Sequence, residues 1–138
     1  MAATSPLGPP RSGNEPTLYD AVGGLPFFTK LVEHFYRGVE SDPVLLSMYP
    51  EPEDLGPARE RLTLFLAQYF GGPTTYSERR GHPRLRMRHH PFVIGPEGRD
   101  HWLAAMRAAI DALEPDPAID AALWGYFTMA AEAMRNAD

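Results

Sequence analysis

Residues 71–96 read GGPTTYSERRGHPRLRMRHHPFVIGP. Pro73, Pro83, Pro91 and Pro96 punctuate this stretch, so no long helix runs through it. Two long proline-free stretches precede it, 27–42 and 58–72, and two follow it, 97–114 and 118–138. Proline is tolerated only in the first turn of a helix, so these four gaps are where helices form. The quoted stretch then reads as the connection between two pairs of helices. At about 25 residues it is long for that task, for which roughly 2–8 residues are usual.

Periodicity supports the helices. The apolar positions of the first gap are Phe27, Phe28, Leu31, Val32, Phe35, Tyr36 and Val39. The second has Leu62, Phe65, Leu66, Tyr69 and Phe70; the third has Trp102, Met106, Ala109, Ile110 and Leu113. The fourth has Ile119, Leu123, Phe127, Ala130 and Met134. Spacings of three and four place each set on one helical face. Pro57 and Pro96 follow Gly56 and Gly95 as first-turn prolines, and Gly71-Gly72-Pro73 stops the second helix. A short helix is expected at 17–22, before Gly23-Gly24. No apolar/polar alternation marks a strand, and repeats and heptads are absent. The expected fold is all-α, with four main helices in two pairs.

Composition bounds the rest. The chain has 138 residues, enough for one domain with a sizeable core. Four of its 15 prolines fall in the first 16 residues, and 1–15 is expected to be a disordered tail ahead of a domain at 16–138. That segment has no apolar core of a secretory signal, so a cytoplasmic location is the default expectation. The net charge of −5 argues against nucleic-acid binding. No apolar run approaches the roughly 18 residues of a membrane span. The absence of cysteine excludes disulfides, zinc thiolate sites, iron–sulfur clusters and thiolate-ligated or CxxCH-attached haem.

An acidic protein has gathered its positive charge in one place. Residues 71–96 hold Arg79, Arg80, Arg84, Arg86 and Arg88, with His82, His89 and His90, and Glu78 as the single acid. A helical turn fits at 84–90, between Pro83 and Pro91, with Leu85 on the same face as His89. Apolar side chains, a neutral histidine and rim cations are the three needs of a haem: a hydrocarbon pocket, an iron ligand and partners for the propionates. An arginine-rich loop equally suits an anion site or a solvated surface, and a histidine before a proline equally suits a loop or cap. His89 and His90 are adjacent, so at most one faces a shared centre. Tyr36, Tyr49 and Trp102 are candidate donors into an apolar pocket, or else core aromatics with backbone partners. His34 and His101 read as solvent-side helix residues, and Asp20 and Asp54 as caps. Arg61 is either a surface charge or a pocket rim. No Ser/His/Asp or carboxylate-pair pattern stands out, and the glycine pairs lack the setting of a phosphate loop.

The sequence resembles the truncated haemoglobins, specifically their group II. The matching stretches are Tyr19-Asp20-Ala21-Val22-Gly23-Gly24, Phe35-Tyr36, Tyr49-Pro50, Phe65-Leu66 with Gln68-Tyr69, and Gly71-Gly72-Pro73. They continue through Tyr76-Ser77-Glu78, Gly81-His82-Pro83-Arg84-Leu85-Arg86-Met87-Arg88-His89 and Pro91-Phe92 to Trp102. The resemblance covers about residues 17–137, and the long motif around His89 is its most specific part.

The resemblance implies a two-over-two helical sandwich around haem b, with His89 as the proximal iron ligand and His90 peripheral. Tyr36, Tyr49 and Trp102 would be the distal polar trio. Ala58 would stand where ordinary globins carry a distal histidine, leaving the sixth position open. Leu62, Phe65, Leu66, Leu85 and Phe92 would line the haem, and Arg61, Arg88 and Arg86 would face its propionates. The extra Pro52 lengthens the connection near Tyr49. The expected function is reversible binding of dioxygen and other diatomic ligands at ferrous iron. An enzymatic alternative, oxidation of nitric oxide or reaction with peroxide, would need an external reductase, since the chain has no flavin or nicotinamide motif. A third reading without haem is an anion- or protein-binding module built on the arginine loop. A homodimer is an arrangement to test.

Overall fold

A computed structural model describes residues 17–49, 51–81 and 95–134. The tail 1–15, the helical turn expected at 84–90, and Leu85, Arg86, Arg88, His89, His90 and Phe92 lie outside the described residues. Those described form seven helices and no strand.

Helix α1 spans Leu18–Ala21 and is the short helix expected before the glycine pair. Thr17 and Asp20 close a capping box, the Asp20 amide donating to Thr17 Oγ1 at 3.1 Å and the Thr17 amide to Asp20 Oδ2 at 3.4 Å. Gly23 and Gly24 both take φ +90°, a conformation open to glycine, and so turn the chain into the next helix. Helix α2, Leu25–Glu40, buries Phe28, Leu31, Val32, Phe35, Tyr36 and Val39 as one stripe. Each such side chain contributes about 1.5–3 kcal/mol by leaving water.

Helix α3, Pro43–Leu46, is a single turn that the periodicity did not reveal. Its signal is a cap: the Asp42 carboxylate accepts from the Val44 and Leu45 amides at 3.0 and 3.4 Å, and Pro43 occupies the first turn. Helix α4, Gly56–Tyr69, carries Pro57 in its first turn and ends at Phe70 before Gly71, at φ +107°. The long connection then contains a helix of its own, α5, Thr75–Arg80. Gln68 fastens it to α4, donating to Ser77 Oγ at 2.7 Å and accepting from the Ser77 amide at 2.9 Å.

Helices α6, Pro96–Leu113, and α7, Pro117–Met134, complete the chain. Helix α2 packs on both α4 and α6, and α6 packs on α7. The core therefore runs through α2, with α4 and α6 on either side. No described helix is long and apolar enough to cross a membrane.

Candidate functional site

A cavity of about 510 Å³ opens between these helices. That lies within the roughly 300–1,000 Å³ of small-molecule sites. Helix α2 supplies Phe35 and Tyr36, and the segment after α3 supplies Met48 and Tyr49. Helix α4 supplies Ala58, Arg61, Leu62, Phe65 and Leu66, and α5 supplies Tyr76 and Arg80. Helix α6 gives Gly98, Arg99 and Trp102, and α7 gives Tyr126, Phe127, Ala130, Ala131 and Met134.

The structure thus brings together eight residues singled out in the sequence: Tyr36, Tyr49, Ala58, Arg61, Leu62, Phe65, Leu66 and Trp102. Arg61 is exposed and still lines the cavity, so the rim position, not the bare surface, describes it. The helical stripes did not single out Met48, Tyr76, Arg80, Arg99 and Tyr126 as wall residues. Phe127 and Ala130 were visible in the stripe of the last helix, but only as core. The step from Leu123 and Phe127 down to Ala130 and Ala131 was the available signal: small residues at the end of an apolar face leave room for a guest.

The polar atoms of the cavity belong to a linked aromatic group. The rings of Tyr36 and Tyr49 meet edge to face at 5.7 Å, and the two phenols influence each other's ionisation. Phe35 joins Tyr36 to Trp102, with ring centroids at 5.0 and 5.3 Å, and Phe127 backs Trp102 at 5.7 Å. Such edge-to-face packing restricts each ring to one orientation.

Burial pushes the Tyr36 phenol above its usual value, while the neighbouring Tyr49 hydroxyl and the charges of Arg61 and Arg59 pull it back. The Tyr49 phenol is pushed well up, first by burial and then by Tyr36. Burial also raises the Tyr126 phenol, with Tyr69 adding to the effect. Every one of these tyrosines keeps its proton at neutral pH.

Three arginines reach the lining: Arg61, Arg80 and Arg99. Arg99 is committed to Glu132, at 2.7 Å, and to Asp100, at 3.0 Å. Among the described residues no cluster of three or more His, Cys, Asp or Glu side chains could hold a metal ion directly. Apolar walls, guanidinium groups at the lining and buried tyrosine hydroxyls fit a flat hydrocarbon cofactor bearing carboxylates and an open coordination position. Those are the features of haem.

Comparisons with known proteins agree with this chemistry. The family model described as bacterial-like globin matches residues 17–136. Group 2 truncated hemoglobin YjbI of Bacillus subtilis is 39% identical over 118 residues, which cover 86% of this chain and 87% of that one. A thermostable hemoglobin from Thermobifida fusca, solved by X-ray, is 62% identical with a TM-score of 0.84, covering 87% of this chain and 97% of that one. The truncated oxygen-avid haemoglobin of Bacillus subtilis is 38% identical with a TM-score of 0.81, covering 87% of this chain and 99% of that one. The helical architecture matches theirs, and the family implies haem-based binding of diatomic gases. The chain belongs to the bacterial-like globin family, among its group II truncated haemoglobins.

Proposed function

We propose that the cavity holds haem b, with His89 as the proximal ligand, and that the ferrous protein reversibly binds dioxygen and other diatomic ligands. Haem supplies the iron at which such a ligand binds. The chain's own residues decide how long it stays. Leu62, Phe65 and Leu66, with Leu85 and Phe92, enclose the hydrocarbon faces and exclude water. Arg61, with Arg86 and Arg88, meets the propionates. Ala58, a small side chain on the cavity wall, would leave room for the ligand.

The observation that carries the reading is that Tyr36 and Tyr49, in ring contact at 5.7 Å, line the same cavity as Trp102. Tyr36 O–H and Trp102 Nε1–H are donors on bulky apolar bodies. They favour a ligand that gains negative charge when bound over one that does not. Several donors around one ligand slow its release, which suits tight binding better than bulk delivery. The likeness to a haemoglobin described as oxygen-avid supports that direction.

The test is the absorption spectrum of the purified protein, first ferric, then reduced with dithionite, then with carbon monoxide. A Soret band that shifts at both steps is the expected result. His89→Ala abolishes the spectrum of a five-coordinate ferrous haem, and His90→Ala preserves it. A colourless protein that does not take up added haemin overturns the reading.

A further inference from the structure

Arg59 follows Ala58 on α4 and meets the site from behind its wall. Its Nη2 lies 2.8 Å from Glu40 Oε2. Its guanidinium carbon lies 5.8 Å from the centroid of the Tyr36 ring. Glu40 is one turn beyond Tyr36 on α2, so the same helix carries both the ring and the carboxylate that holds the cation over it. Arg59 Nε is buried and has no hydrogen-bond partner among the described residues. A surface ion pair does not require that arrangement. A side chain free to choose would turn Nε to water and avoid the cost of an unmade bond. The guanidinium is thus held both by the ion pair with Glu40 and by its position over the Tyr36 ring.

We infer that Arg59, anchored by Glu40, is a positioning residue for Tyr36, holding its ring by a cation–π contact and strengthening its hydroxyl as a donor into the cavity. A cation beside a phenol polarises the O–H bond, and the charge of Arg59 acts on Tyr36 in that direction. The ring contact fixes the direction of the Cζ–Oη bond of Tyr36. Arg61 adds charge from the cavity side, whereas Arg59 combines charge with direct contact on the ring. The inference rests on the reading of Tyr36 as a ligand donor, and its test separates the two.

Arg59→Met keeps the aliphatic stem and removes the charge; Arg59→Lys keeps the charge. The first readout needs no ligand: the ¹³Cζ resonance of Tyr36 at pH 7, assigned through Tyr36→Phe, in the full-length protein as purified. It moves in Arg59→Met and in Glu40→Ala, and returns most of the way in Arg59→Lys. The second is the dioxygen dissociation rate of the ferrous protein. Arg59→Met raises it about three- to tenfold, and the same substitution in a Tyr36→Phe background has no effect. An unmoved resonance in Arg59→Met, equal effects of Met and Lys, or an undiminished rate effect in the Tyr36→Phe background overturns the inference. An unmoved resonance in Glu40→Ala removes the anchoring role. If Tyr36→Phe alone leaves the rate unchanged, the donor reading of Tyr36 fails instead, and the resonance still reports on the contact.

Discussion

His101 Nδ1 lies 2.7 Å from Asp42 Oδ2, joining the residue before Trp102 on α6 to the residue that caps α3. The bond holds the segment that leads to Met48 and Tyr49 against the helix that carries Trp102. It raises His101, with Glu97 and Asp100 adding to the effect, and lowers Asp42. Both shifts set a sign. The His101 contribution is fully present below its ordinary value of 6.5 and is lost as pH rises through the raised value. The Asp42 contribution is present above its ordinary value of 3.8 and is lost as pH falls through the lowered one. The pair is therefore at full strength between those two ordinary values. Urea midpoints of the wild type should fall relative to those of His101→Gln as pH rises from 6 to 8.5. A difference that stays constant over that range refutes the coupling.

The donor reading makes a graded kinetic prediction. Tyr36→Phe and Trp102→Phe each remove one donor facing the cavity, and each should speed dioxygen release roughly 2- to 12-fold. Tyr49→Phe removes a phenol that acts on Tyr36, so part of its effect should run through Tyr36 and its own effect should be smaller. The double variant Tyr36→Phe/Tyr49→Phe should then fall short of the product of the single effects, because one hydroxyl acts through the other. Stopped-flow displacement by carbon monoxide measures all four rates. Additive effects would mean that the two hydroxyls act independently.

The parts of this architecture that were legible in the sequence are those carried by local rules. Pro57 and Pro96 sit in first turns, and the stripes of α2 and α6 face the core as their spacing requires. The single turn at Pro43–Leu46 and the six residues Thr75–Arg80 are too short for a period to appear. Asp42 before Pro43 was a readable cap, but its second oxygen serves His101 across 59 residues, and no local pattern reveals that. His101 was accordingly expected to be a solvent-side residue, whereas it is a partly exposed partner in a long-range pair. Arg59 was unreadable for the same reason: its contacts, Glu40 and Tyr36, are set by how α4 packs on α2. Tyr36, Tyr49 and Trp102 were visible as residue types with hydrogen-bonding tips. Their convergence was implied by the family resemblance and by no local pattern, and the packing brings all three to one cavity.

Two glycines with similar backbones should differ in their tolerance of a methyl group. Gly23, at φ +90°, has open space where a Cβ would stand, so Gly23→Ala pays only for the left-handed backbone, about 1–2 kcal/mol. Gly71, at φ +107°, would drive its Cβ into the Thr17 side chain, the residue that caps α1. Gly71→Ala therefore adds the loss of that cap to the backbone strain, and about 2–4 kcal/mol is expected. Urea denaturation of the two variants measures the difference. Equal losses would show that the junction of α1 with the end of α4 yields without cost.

Removing haem should unfold this protein locally before it unfolds globally. The cavity walls, Ala58 to Leu66 on α4 and Phe127 to Met134 on α7, would lose the surface against which they pack. A second aromatic cluster lies one ring behind the cavity wall, where Phe70 meets Tyr126 at 5.5 Å. Phe28 stacks between Tyr19 and Phe70 at centroid distances of 6.0 and 5.8 Å, and none of the three lines the cavity. Amide exchange in the haem-free protein should therefore stay slow around Phe28 and quicken along the walls of α4 and α7. A ligand at about a thousandfold excess over its Kd stabilises the folded state by about 4 kcal/mol. For a chain of this size that raises Tm on the order of 10–20 °C. Adding haemin back should restore both the melting temperature and the protection. Uniform loss of protection would mean that the Phe28 cluster depends on the cavity, and an unchanged Tm would mean that the walls hold without a guest.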